Sequence, residues 1–165
     1  MSTKTADLTT AKILINSVLS TPKAKMVVTD LKDFYLGTPT LERYEYMRIP
    51  VHMLPKKIMD LCKLWDLVHN GYVYVEIRKG MHGLPQAGKL ANDRLQKFLV
   101  PHGYSPTNIT ASLWKHKTRP IAFALVVDDF AIKYTDKSDA DHLLTTLEQM
   151  HVCTCLLYTF PIPRH

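Results

Sequence analysis

The sequence holds no apolar run approaching the roughly 20 residues that a membrane-crossing helix needs, so a helical membrane protein is not expected. Its first ten residues, MSTKTADLTT, are polar and lack the apolar segment of a secretory signal. Cysteine is scarce. Cys62, Cys153 and Cys155 are an odd number, which argues against a secreted disulfide scaffold. His151 with Cys153 and Cys155 offers one Cys-x-Cys and one histidine, without a fourth ligand or the usual Cys-x-x-Cys spacing, so a structural zinc site is not expected. Internal repeats and low-complexity tracts are also missing. These absences together predict an intracellular chain with reduced thiols.

What is present fits one domain with a real core, at 165 residues. The net charge of +6 leans towards an anionic partner such as nucleic acid. Asp7 is placed to cap a helix whose Leu8, Ala11, Ile15 and Val18 share one face, closed by Pro22. KMVVTD (25–30) reads as a short buried strand ending on Asp30. Residues 33–50, rich in Tyr, Gly and Pro, read as a turn and an extended segment. Ile58, Leu61, Trp65 and Val68 predict a second helix, ended by Asn70-Gly71. YVYVEIR (72–78) alternates, with Val73, Val75 and Ile77 on one side, as a half-buried strand does.

GMHGLPQAG (80–88) is a shaped loop, and Ala87, Leu90, Ala91, Leu95 and Phe98 predict a helix after it. SLWKH (112–116) and PIAFALVV (120–127) are expected to pair, and FAIKY (130–134) to pair back. Ser138 and Asp141 resemble a capping box for a helix carrying Leu143, Leu144, Leu147 and Met150. The order of elements predicts an α+β fold, an antiparallel sheet with helices on one face. From 153 to 165 the order breaks, and Pro161 and Pro163 cut it off. That stretch reads as an unrelated or disordered tail to a domain of residues 1–152.

Asp128 and Asp129 stand out because aspartate is a poor strand former, yet the pair directly follows IAFALVV. A tight turn tolerates Asp. A hairpin turn, however, favours Asn-Gly or Asp-Gly, and here both flanks are apolar. The alternative is a metal site, which needs a third acid. Asp30 also ends a short apolar strand. Three carboxylates at one end of a sheet suit Mg²⁺ or Mn²⁺, and two such ions about 4 Å apart clamp the oxygens of a phosphoryl transfer.

VVTDLKDFYLGTP (27–39), GMHGLPQAGKLAN (80–92) and ALVVDDF (124–130) occur in that order. They resemble motifs A, B and C of the reverse transcriptases of LTR retrotransposons, copia-like in flavour, over about residues 5–150. The resemblance implies a polymerase palm-like sheet and RNA-directed DNA polymerase activity. It implies two Mg²⁺ or Mn²⁺ ions on Asp30, Asp128, Asp129 and the backbone carbonyl of Leu31. The substrate set it implies is Leu31, Phe34, Tyr35, Gln86 and Lys89. Tyr35 takes the place of an aromatic gate that leaves no room for a ribose 2′-OH, and Gln86 that of the glutamine touching the nucleotide sugar. Lys89 is placed to meet phosphate or to be a solvated surface lysine, and Tyr35 alternatively packs with Phe34 and Leu36 in the core. Arg78 and Lys79 are weaker candidates for template backbone.

The implied partners are an RNA or DNA template–primer and deoxynucleoside triphosphates, with no membrane. The implied location is cytoplasmic, associated with virus-like particles in the family. Val126 departs from the pattern, standing where many relatives carry an aromatic. Most of the fingers, the thumb and a ribonuclease H domain have no counterpart in this chain. Two functions therefore stay open: a polymerase palm, whose activity in isolation is itself open, and a catalytically dead relic that binds nucleic acid. A nuclease using the same acids is a third, and no general base for it is visible.

Overall fold

The computed structural model describes residues 6–108, 110, 112–126 and 128–156, with the side chains of residues 155 and 156 left aside. In chain order the elements are α1 (Leu8–Ser20), β1 (Lys25–Leu31), β2 (Glu45–Pro50), α2 (Lys56–Leu61), β3 (Tyr72–Ile77) and α3 (Ala87–Leu99). There follow β4 (Tyr104–Pro106), β5 (Leu113–His116), β6 (Ala122–Val126), β7 (Asp129–Tyr134), α4 (Lys137–Glu148) and β8 (Cys153–Leu156). Six strands form one antiparallel sheet in the order β4-β5-β6-β7-β1-β8, while β2 and β3 form a separate two-stranded ribbon. The fold is α+β, as the element order predicts.

Within the large sheet, β1-α3-β6-β7-α4-β8 is a βαββαβ unit. Its four strands lie in the spatial order β6-β7-β1-β8, so β1 is central, with a neighbour on each side. This is the split βαβ arrangement. The tail expected from residue 153 therefore opens instead on a strand that completes the unit. Thr154 lies opposite Asp30, and Cys153 opposite Leu31. Alternation over only four residues, three of them polar or cysteine, gives too weak a pattern to read as a strand. The remainder of that tail, residues 157–165, lies outside the described residues.

The side chains of β1, β6 and β7 alternate between two faces. Val27, Leu31, Phe123, Leu125, Phe130 and Ile132 point to one face and form the main core with Ala91, Leu95 and Leu99 of α3 and Leu143 and Leu147 of α4. Trp114 and Phe123 stack in that core, 5.5 Å between ring centroids. Helices on one face, as expected, holds for α3 and α4. By contrast, α1 crosses the opposite face, where Leu14 meets Ala124, with Ala122 and Ala131 beside them.

The buried face of α1 also differs from the predicted one. Asp7 does cap it, accepting from the Thr10 N–H at 2.7 Å. Yet Leu8 and Ile15 are exposed, while Thr10 and Leu14 are buried. Lys133 explains this, because its Nζ donates to Ser17 Oγ at 2.5 Å and Thr21 Oγ1 at 2.7 Å. Residues 10, 14, 17 and 21 share a helix face, and the lysine holds that face against a sheet lined with alanines.

Three smaller expectations change. The single helix expected over Ile58–Val68 is α2 followed by a short 3₁₀ turn at Trp65–Leu67, divided at Lys63, whose φ is 52°. The cap of α4 is Asp136, which accepts from the Ser138 N–H at 2.8 Å, rather than Ser138 itself. Short β4 and the strand β2 inside the extended 33–50 segment lengthen the list of strands.

Candidate active site

The sheet brings three acids to one end. Asp30, next to last in β1, pairs directly with Asp129, the first residue of β7. Asp128 lies just outside the ladder, since the β6–β7 pairing ends at Val126 opposite Asp129. Its carbonyl accepts the Leu31 N–H at 3.2 Å, which fastens the turn to β1. Asp128 is thus a turn residue and Asp129 a strand residue, one residue earlier than the start at Phe130 expected for the returning strand.

Residues paired across a strand ladder put their side chains on the same face. Asp30 and Asp129 therefore share the face that carries α1, away from the main core. Like charges directly opposite repel. The Asp129 carboxyl is held above its usual range first by partial desolvation, then by Asp128, then by Asp30. Among the described residues no cationic side chain pairs with any of the three carboxylates. Three acids without a compensating cation form a donor set of hard oxygens, which suits Mg²⁺ or Mn²⁺. As they stand, no three His, Cys, Asp or Glu side chains among the described residues are gathered tightly enough to enclose an ion.

A cleft of about 250 Å³ opens beside Asp128. Its walls are the turn after β1, with Asp33, Phe34, Tyr35 and Leu36, and the loop before α3, with Met81 and His82. Tyr35 is half-buried, with its ring edge-on to His82 at 4.6 Å and to Phe34 at 5.5 Å. Burial, and then the charge of Asp128, push the Tyr35 hydroxyl pKa up. The tyrosine therefore lies beside Asp128. Phe34 belongs to the main core and shows little of itself to the cleft. Leu31 likewise buries its side chain, so only its backbone faces this chemistry.

The two loops are locked by one glycine. The Gly80 N–H donates to Thr38 Oγ1 at 2.7 Å in a buried bond. A Cβ on Gly80 would stand 2.8 Å from that oxygen and 3.0 Å from the Tyr35 carbonyl. Close backbone approach, as expected of a glycine in this loop, is what brings His82 to Tyr35. His82 and Met81 were not singled out in the sequence. Their neighbours Gly80 and Gly83 carried the only signal.

Gln86 and Lys89 lie elsewhere. They line a separate cleft of about 650 Å³ with Arg43, Glu45, Asp93 and Arg94, and share none of the residues around Tyr35. Gln86 Nε2 donates to Glu45 Oε1 at 3.2 Å. Lys89 is exposed and paired with Asp93 one turn along α3, at 2.5 Å. Arg78 is paired with Glu76 at 3.5 Å on the ribbon. The structure therefore gathers Asp30, Asp128 and Asp129 at one end of the sheet, sets Tyr35 beside Asp128, and places Gln86 and Lys89 along another cleft. No helix among the described residues is long and apolar enough to cross a membrane. Comparison with protein families, with curated proteins and with solved structures finds no match.

Proposed function

We propose that the chain is the palm of an RNA-directed DNA polymerase of a retrotransposon, which adds deoxynucleotides to a primer 3′-OH. The observation that carries this reading is the direct pairing of Asp30 with Asp129, with Asp128 beside them and a tyrosine-lined cleft adjoining. Two Mg²⁺ or Mn²⁺ ions held there would supply the Lewis acid that activates the primer hydroxyl and neutralises the triphosphate. Asp30 of β1, Asp129 of β7 and Asp128 in the turn before it would hold the ions, with the β1–β7 register fixed by the buried ladder. Leu31 offers its backbone carbonyl. Tyr35 closes the cleft next to Asp128, where a ring of that size excludes a ribose 2′-OH. Template–primer and deoxynucleoside triphosphates are the partners this chemistry requires.

A catalytically dead relic that binds nucleic acid is the second reading. The position of Gln86 favours it, because a glutamine tied to Glu45 in another cleft does not reach a sugar beside Tyr35. Extension of a DNA primer on an RNA template, in Mg²⁺ and in Mn²⁺, separates the two. Extension that Asp128→Asn abolishes supports the polymerase. A wild-type chain that binds the ions and template–primer yet extends nothing supports the relic.

A further inference from the structure

We propose that the outward face of the β2–β3 ribbon is a stacking platform for a single nucleic-acid strand. The ribbon register pairs Tyr46 with Glu76, Arg48 with Tyr74, and Pro50 with Tyr72. These six residues share one face. The opposite face carries Met47, Ile49, Val73 and Val75, with Val73 fully buried, so the ribbon already has its packing side. Burial does not account for the tyrosines on the other side. Tyr46 is 63% exposed and Tyr74 55%. The Arg48 guanidinium lies 4.4 Å over the ring of Tyr72, a cation–π contact.

The chemistry selects the occupant. Every base offers a π-face, so exposed aromatic rings interleaved with arginine bind single strands with little sequence preference. Tyr46 and Tyr74 are diagonal neighbours across the ribbon. Backbone positions of such neighbours lie about 7–8 Å apart, so nearby bases of one strand can meet both rings. Glu76, the one acid on the strip, is paired with Arg78 at 3.5 Å. Arg48 remains to meet phosphate, in a chain of net charge +6. Tyrosine and arginine also suit protein interfaces; the net charge of +6 selects the anionic strand.

The proposal deepens the polymerase reading, on which it rests only for the strand being a template. Its test needs no catalysis. Binding of fluorescent 12-residue oligouridine and oligothymidine to the full chain is measured by anisotropy at several salt concentrations. Tyr46→Ala and Tyr74→Ala are each expected to weaken binding about 5- to 100-fold, while Tyr46→Phe and Tyr74→Phe stay within about twofold. Arg48→Ala is expected to flatten the salt dependence by roughly one phosphate contact. Binding should persist in EDTA, where the carboxylates hold no ion, so loss of the polymerase reading leaves this result standing. The proposal is overturned if the wild type binds neither oligonucleotide, or if the alanine variants bind as it does. It is equally overturned if they lose only self-association, seen by sedimentation.

Discussion

Asp30 and Asp129 face each other directly across the β1–β7 ladder, two like charges held together by the pairing of buried strands. Neutralising either should relieve the fold when no divalent ion is present. Asp129→Asn is expected to raise stability by about 0.2–1 kcal/mol in chelator. Denaturation midpoints with EDTA and with excess Mg²⁺ check this. The ranking should reverse with Mg²⁺, because only the wild type then gains from binding.

Tyr35 is the residue on which sugar selection depends. Tyr35→Ala enlarges the cleft beside Asp128. The expected outcome is a loss of preference for deoxynucleotides over ribonucleotides of at least about tenfold. Single-nucleotide incorporation with matched dNTP and NTP measures it. An unchanged preference would place the gate elsewhere.

Thr38 and Gly80 fasten the Tyr35 turn to the His82 loop. Thr38→Val keeps the shape and removes the acceptor of the buried Gly80 N–H. A buried unpaired donor costs about 1–3 kcal/mol. Urea denaturation should show that loss, and Gly80→Ala should destabilise comparably through its approach to the Tyr35 carbonyl.

Removal of every residue after Val152 deletes β8. Strand β1, central in the sheet, would then become an edge with unpaired N–H and C=O groups. A stability loss of at least about 2 kcal/mol is expected, with increased aggregation. Equilibrium denaturation and light scattering report both. A truncated chain as stable as the intact one would show that β8 adds nothing.

Much of this was legible in the sequence where local pattern and tertiary demand agree. VVTD and ALVVDD read as strands ending in acids because apolar runs bury and aspartates do not, and the ladder puts those ends together. YVYVEI alternates cleanly, and its buried Val73 bears out the face assigned to it. The face of α1 was not legible, since it is set by Lys133 more than a hundred residues away. Strand β8 was hidden because its order comes from its partner β1 and not from its own composition. The separation of Gln86 from Tyr35 depends on how the loop before α3 folds, and no spacing in GLPQAG encodes that.

The most direct measurement is titration of the full chain with Mn²⁺, read by calorimetry or by electron paramagnetic resonance, for wild type, Asp30→Asn and Asp128→Asn. The three-acid account predicts saturable binding by the wild type and a loss of at least about tenfold in affinity in each variant. Binding that survives both substitutions unchanged, or no binding by the wild type, would contradict it.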